Sequence, residues 1–304
     1  MLKILRKGQV DTCIIEQHSE IEFEYYSNKK AETTTHPIHS CTKSVISMLI
    51  GICIKDGLIS DINTPIREYF PDHMARQEDK RKEAVTIYHL LTMTPGFDWP
   101  EFGIWNFGSP MEYSRDMIGF IIDRDLETAS GTKMTYNSGC SNLLSAIIQS
   151  VSGMKIIDFA YKHLFMPLGI KDILWHEKQG INLGANGLRM KPADLLRLGN
   201  LYLRRGEYGG TQIVPREWVD ESTQPAFFTY PDIGHYGYHW WVSDLELEGE
   251  EKTPYYFAMG LFGQFIIVVP KYETVVVFMS KNYSDTMQPM QYFRDIIAPL
   301  ISPR

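Results

Sequence analysis

Strand-like segments lie at both ends of this chain, and helix-like segments fill its middle. DTCIIEQ and IEFEYY, within residues 10–27, alternate apolar and polar residues across a short polar turn near His18 and Ser19, which predicts a hairpin. Near the other end, YGYHWWV (236–242), YYFAMG (255–260), QFIIVVP (264–270) and TVVVFMS (274–280) read as successive strands, and 285–300 as a helix. The middle carries helical signals: Ser40 to about Asp56 with Gly57 as the stop, then 85–93, 139–152, 155–165, and a helix from Pro192 to Gly206. Residues 97–135 are rich in loop signals. Strands from distant parts of a chain must meet in one sheet to bury their apolar faces. The expectation is an α+β fold, an α/β sandwich: an antiparallel sheet built from both termini, flanked by helices, with a mainly helical insertion. By that reading residues 1–60 and 206–304 form the α/β domain, and 61–205 the helical one.

Composition excludes some functions. A net charge of −7 and a pI near 5.7 argue against a nucleic-acid partner, which selects for a basic face. No apolar run reaches the roughly 18 residues of a membrane-spanning helix. The basic start MLKILRKGQVDTC lacks the apolar stretch and small-residue cleavage site of a signal peptide. Cys13, Cys41, Cys53 and Cys140 lie far apart with no CxxC pair, which suits reduced thiols and a cytoplasmic protein. The expected partner is a small molecule, with no nucleic acid and no membrane; oligomeric state is not encoded in these patterns.

The chain holds four Ser-x-x-Lys pairs: Ser27–Lys30, Ser40–Lys43, Ser130–Lys133 and Ser152–Lys155. With 19 serines and 17 lysines, about one pair is expected by chance, so context must choose. Three of the pairs sit in loops, turns or helix ends. Ser40–Lys43 opens a helix that is apolar nearly all round, and such a helix is buried. Residues i and i+3 share a face, so the Lys43 amine can reach the Ser40 hydroxyl. A lysine in that position is costly without a task or a partner. A desolvated lysine can accept a proton from serine, and the free N–H groups of a helix start can hold an oxyanion. The alternative is an N-capping serine followed by a surface lysine.

HSCTKSVISMLIGICIKDGLI (39–59), TIYHLLTMTPGFDW (86–99), MTYNSGCSNLLSAIIQSVSG (134–153) and FMPLGI (165–170) together resemble the serine β-lactamase and penicillin-binding-protein superfamily, above all its class C and esterase-like branch, which includes 6-aminohexanoate-dimer hydrolase. The resemblance runs from about residue 35 to 280 and implies a β-lactamase/transpeptidase-like fold. It also implies a serine hydrolase that forms an acyl-enzyme on Ser40 and cleaves an ester or amide bond, with Lys43 as base or proton relay. The alternative it leaves open is a penicillin-binding or sensing protein that acylates with little turnover. The family's Tyr-x-Asn falls on Tyr136, Asn137 and Ser138: the tyrosine matches and serine takes the third place. A Tyr136 phenolate beside Lys43 would serve as a general base.

The family's Lys-Thr-Gly strand falls on Ala258, Met259 and Gly260, without the cation that grips a β-lactam carboxylate. The Leu261 and Ser40 amides would form the oxyanion hole. Ser138, Asn137, Ala258, Gly260 and Trp105 are the expected substrate contacts. No cofactor and no metal are implied, and His235 and His239 have no ligand set around them in sequence. The missing cation favours a small ester or amide over a β-lactam.

Overall fold

The computed structural model describes residues 1–105, 110–247, 249 and 251–301; residues 106–109 of the loop-rich stretch lie outside it. Its centre is an eight-stranded antiparallel sheet. The strands are β1 (Val10–Gln17), β2 (Glu20–Tyr26), β3 (Phe227–Phe228), β4 (His235–Tyr236), β5 (Trp241–Leu245), β6 (Thr253–Gly260), β7 (Gln264–Val269) and β8 (Thr274–Ser280). Their spatial order is β3-β4-β5-β6-β7-β8-β1-β2, so the N-terminal hairpin joins the C-terminal strands through β1 and β8. The fold is the mixed α/β architecture expected, with the sheet built from both ends of the chain.

Every residue of β7 and β8 is buried, because both faces of the sheet are covered. Val275, Val277 and Met279 point into one core with the helices α1 (Cys41–Lys55), α2 (Ser138–Ser152) and α3 (Pro192–Leu203). Val276 and Phe278 point into a second core with Leu5, Phe293 and Ile297 of the terminal helices. The α3 helix lies directly on β7 and β8, so this part of the middle segment belongs to the sheet's own packing. Among the described residues no single helix is long and apolar enough to cross a membrane.

One local expectation is corrected. YGYHWWV is not a continuous strand: it turns back on itself, and Tyr236 of β4 pairs with Trp241 of β5. Gly237 sits where a Cβ would lie 2.4 Å from the Ser222 carbonyl oxygen, and His239 takes φ +60°. A run of large apolar residues hides such a turn from a two-residue periodicity. Trp240 enters the first core and Trp241 the second, as neighbouring residues of extended chain do.

Candidate active site

The α1 helix is the structural reason the site exists. Its residues from Cys41 to Cys53 are all buried, wedged between the sheet and α2. Each fully buried Ile, Leu or Met here contributes about 1.5–3 kcal/mol, which fixes the helix firmly enough to carry a buried charge. Ser40 stands at the helix start, yet its side chain makes no capping hydrogen bond. His39, just before it, is held at φ +48°, in the left-handed region. That turn delivers the Ser40 hydroxyl to a cavity of about 800 Å³.

Lys43 lies one turn on and is 2% exposed. Its Nζ is 3.1 Å from Ser40 Oγ, 3.2 Å from Ser138 Oγ and 2.8 Å from the Ala185 carbonyl oxygen. Burial pushes its ammonium down to about 8, against the opposing pull of the Glu101 carboxylate. The amine also lies over the Tyr136 ring, 4.9 Å from its centroid.

Tyr136 stacks on Phe102 and on Trp241, with its hydroxyl on the Ser40 side of the cavity. Burial, reinforced by the Glu101 charge, holds the phenol well above the usual tyrosine range. The resting phenolate that the sequence reading invoked is therefore disfavoured. Desolvation penalises the anion, and the Glu101 charge adds to that penalty. The lysine is the group whose neutral form is accessible near neutrality.

Gly260 ends β6 beside the Ile38–His39 turn. A Cβ there would lie 2.3 Å from the Ile38 carbonyl oxygen and 3.1 Å from His39 Cβ. The glycine is needed for this close approach, which brings the Leu261 amide to the cavity opposite Ser40. Neither the Leu261 nor the Ser40 amide has a hydrogen-bond partner among the described residues. Gly260→Ala is expected to destabilise the fold by about 1–3 kcal/mol and to push the Ser40 turn out of place. Urea unfolding and the rate of Ser40 acylation check this, and wild-type values for both would refute it.

Ser40, Tyr136, Ser138, Gly260 and Leu261 all line the cavity, with Lys43 directly behind Ser40. Three other expected contacts do not reach it. Asn137 is 1% exposed and caps α2, its side-chain oxygen accepting from the Gly139 and Cys140 amides. Ala258 is 1% exposed and packs in the core. Trp105 stands edge-on to Trp99, with the Arg124 guanidinium over its ring. In each case the side chain has a packing role that the motif position alone did not reveal.

The sequence reading missed Glu101, Asn142 and His239. Glu101 is 6% exposed and accepts from Trp99 Nε1 (2.9 Å), the Ser138 amide (2.7 Å) and Ser138 Oγ (2.6 Å). A carboxylate inside the aromatic run FDWPEFGIW was the available signal. Asn142 accepts from the Ala185 amide at 3.1 Å and so holds the carbonyl facing Lys43. His239 was weighed, with His235, only as a metal ligand. It is fully buried and joins three elements of the site: its carbonyl accepts from Ser44, Nε2 is 2.9 Å from Ser141 Oγ, and Nδ1 is 2.9 Å from the Leu91 carbonyl oxygen.

The rest of the cavity wall is largely apolar, with Phe102, Met111, Met117, Ile233, Met259 and Met287. Among its described lining residues the one lysine or arginine is Lys178, whose ammonium donates to the Met111 and Glu112 carbonyls. Glu177 is paired with Lys155 at 2.8 Å.

The sequence matches the family described as Beta-lactamase over residues 13–296. The chain belongs to the β-lactamase family. It is 24% identical over 300 residues to the 6-aminohexanoate-dimer hydrolase of Paenarthrobacter ureafaciens, a match covering 91% of this chain and 74% of that protein. It is also 24% identical over 197 residues to the lovastatin esterase of Penicillium rubens, covering 56% of this chain and 49% of the esterase. A solved Bacillus anthracis structure with the provisional name 6-aminohexanoate-dimer hydrolase superposes with a TM-score of 0.83 at 19% identity, covering 99% of this chain and 81% of that one. This β-lactamase-family chain is accordingly a serine hydrolase acting on ester or amide bonds.

Proposed function

We propose that Ser40 is the acylated nucleophile, Lys43 its base and Tyr136 the proton relay, and that the substrate is a small, largely apolar ester or amide. The observation that carries this reading is the 3.1 Å contact between Ser40 Oγ and a buried Lys43 whose ammonium is pushed down to about 8. Ser40 Oγ attacks the carbonyl carbon as its proton passes to neutral Lys43. The Ser40 and Leu261 amides receive the oxyanion. The tetrahedral species collapses, and the leaving alcohol or amine takes up a proton through the Tyr136 hydroxyl. Water then releases the acyl group by the same steps in reverse. Because Lys43 must be neutral to accept, kcat/KM is expected to rise with pH and level off above about 8.

The substrate preference rests on the walls. Methionine side chains adapt to varied apolar shapes, and among the described lining residues the one lysine or arginine, Lys178, is tethered to two backbone carbonyls rather than presented on the strand beside Ser40. The name of the 6-aminohexanoate-dimer relative points to an amide, that of the lovastatin relative to an ester.

The test has two arms. A fluorophosphonate probe should label Ser40 stoichiometrically, as mapped by peptide mass spectrometry; a folded protein that takes no label refutes the nucleophile assignment. Short-chain aryl esters should then outrun a cephalosporin in kcat/KM. Faster cephalosporin turnover overturns the substrate preference, and a burst without a steady state indicates an acylating sensor instead.

A further inference from the structure

The hydrogen bonds around Lys43 have a direction, and that direction traces back to Glu101. The Ser138 hydroxyl owns one proton, and it donates that proton to Glu101 Oε1 at 2.6 Å. Toward Lys43 Nζ, 3.2 Å away, the same oxygen can therefore only accept. The Ala185 carbonyl, 2.8 Å from Nζ, is also only an acceptor. A neutral lysine amine has two N–H groups and one lone pair. Two acceptor-only neighbours take both N–H groups. The lone pair is left facing the third neighbour, Ser40 Oγ at 3.1 Å.

We infer that Glu101 is a positioning residue, which locks the Ser138 hydroxyl as an acceptor and thereby aims the Lys43 lone pair at Ser40. The inference rests on the proposed acylation of Ser40 and adds to it the group that makes the lysine a base in the right direction. It also gives a reason for serine at the third place of Tyr-Asn-Ser. A hydroxyl can be polarised by a carboxylate, whereas an asparagine amide would present fixed donor and acceptor ends.

Glu101→Gln separates direction from fold. Glu101 Oε2 accepts from two donors, the Trp99 indole and the Ser138 amide. A glutamine oxygen will take that place, which turns its NH2 toward Ser138 Oγ. The hydroxyl then accepts from the amide and is free to donate to the Lys43 lone pair, leaving the base occupied. The charge changes as well. The groups around Lys43 are Glu101, Tyr136, Cys41, Cys140 and His239, of which Glu101 is the carboxylate. Its loss makes the ammonium easier to deprotonate.

The experiment is the pH dependence of Ser40 labelling by a fluorophosphonate in wild type, Glu101→Gln, Ser138→Ala and the double variant. For Glu101→Gln the rising limb should move down by about one pH unit, while the plateau falls at least about tenfold. A lost charge alone would move the limb and spare the plateau. The double variant should have the plateau of Ser138→Ala, since Glu101 acts through that hydroxyl. A wild-type plateau in Glu101→Gln, or a further equal drop in the double variant, overturns the inference while leaving the nucleophile assignment intact. A wild type that takes no label overturns that assignment and the inference with it. If Glu101→Gln does not fold, Ser138→Ala alone decides. It leaves the carboxylate two of its donors and should lose the plateau; an unchanged plateau refutes the inference.

Discussion

Ser40→Ala lowers kcat/KM by about 10⁴-fold or more while leaving the fold intact, since the nucleophile is lost and only binding and the oxyanion donors remain. The hydroxyl caps nothing, so its removal leaves no helix amide newly unsatisfied. Lys43→Met should cost a comparable factor for a different reason: Ser40 keeps its place but has no base. The two changes act on one unit, so the double variant should be scarcely worse than either single one. Lys43→Met carries a second signature, in stability. Wild-type Lys43 titrates in the folded state near 8, below its ordinary value near 10.5. Below about 8 both states hold the proton, and the full cost of burying the charge is present. Between 8 and 10.5 the unfolded state binds more protons, so wild-type stability rises there relative to the methionine variant, by roughly 1.4 kcal/mol per pH unit. Steady-state kinetics and urea unfolding at pH 7, 9 and 10 measure both effects. Substantial turnover by Ser40→Ala, or parallel stability profiles for wild type and Lys43→Met, would refute the assignment.

The second large effect belongs to His239. Burial, aided by the nearby Lys43 charge, holds its imidazole down to about 3, against an ordinary value near 6.5. The folded protein keeps this ring neutral, with Nδ1 donating to the Leu91 carbonyl and Nε2 accepting from Ser141. Between pH 6.5 and 3 the unfolded state binds the proton and the folded state does not. Stability must therefore fall as pH drops through that window, at roughly 1.4 kcal/mol per pH unit from this ring alone, or about 3 kcal/mol by pH 4. His239→Asn removes the titration. Asparagine tolerates the positive φ and offers a donor and an acceptor, though from a shorter side chain. The variant should be less stable at pH 7 by about 1–3 kcal/mol and lose less on acidification. Every other titrating group is common to both chains, so the difference between their urea midpoints at pH 7, 5.5 and 4 isolates His239. A constant difference would refute the assignment. Activity should follow stability, because the residue ties Ser44, Ser141 and Leu91 around the site.

Much of this protein was legible before any coordinates. The alternating hairpin at 10–27, the β-branched runs near the C-terminus and the helical middle carry their periods in the sequence, because solvent and core impose them residue by residue. The Ser40–Lys43 pair was legible because an apolar helix opening on a lysine conflicts with itself unless that lysine is used. Tyr136 and Gly260 were reached through motif spacing, and both line the cavity or its floor.

Tertiary structure alone decided the rest. Asn137 and Ser138 are neighbours in sequence, but a helix start rotates one into a cap and the other toward Lys43. YGYHWWV looks like one strand, yet close contact of Gly237 with the Ser222 carbonyl and the positive φ of His239 turn it back, so that Tyr236 pairs with Trp241. Glu101 and His239 act through partners at Ser138, Ser141, Ser44 and Leu91, separated from them by tens to hundreds of residues. The sequence by itself determined most of the strand and helix segments, though not the turn within YGYHWWV, and which serine sits on a buried helix, because those depend on short-range periodicity and burial. The ionisation of Lys43 and the direction of its hydrogen bonds were decided only when distant groups closed around it, because a charge responds to everything within a few ångströms, whatever its place in the chain.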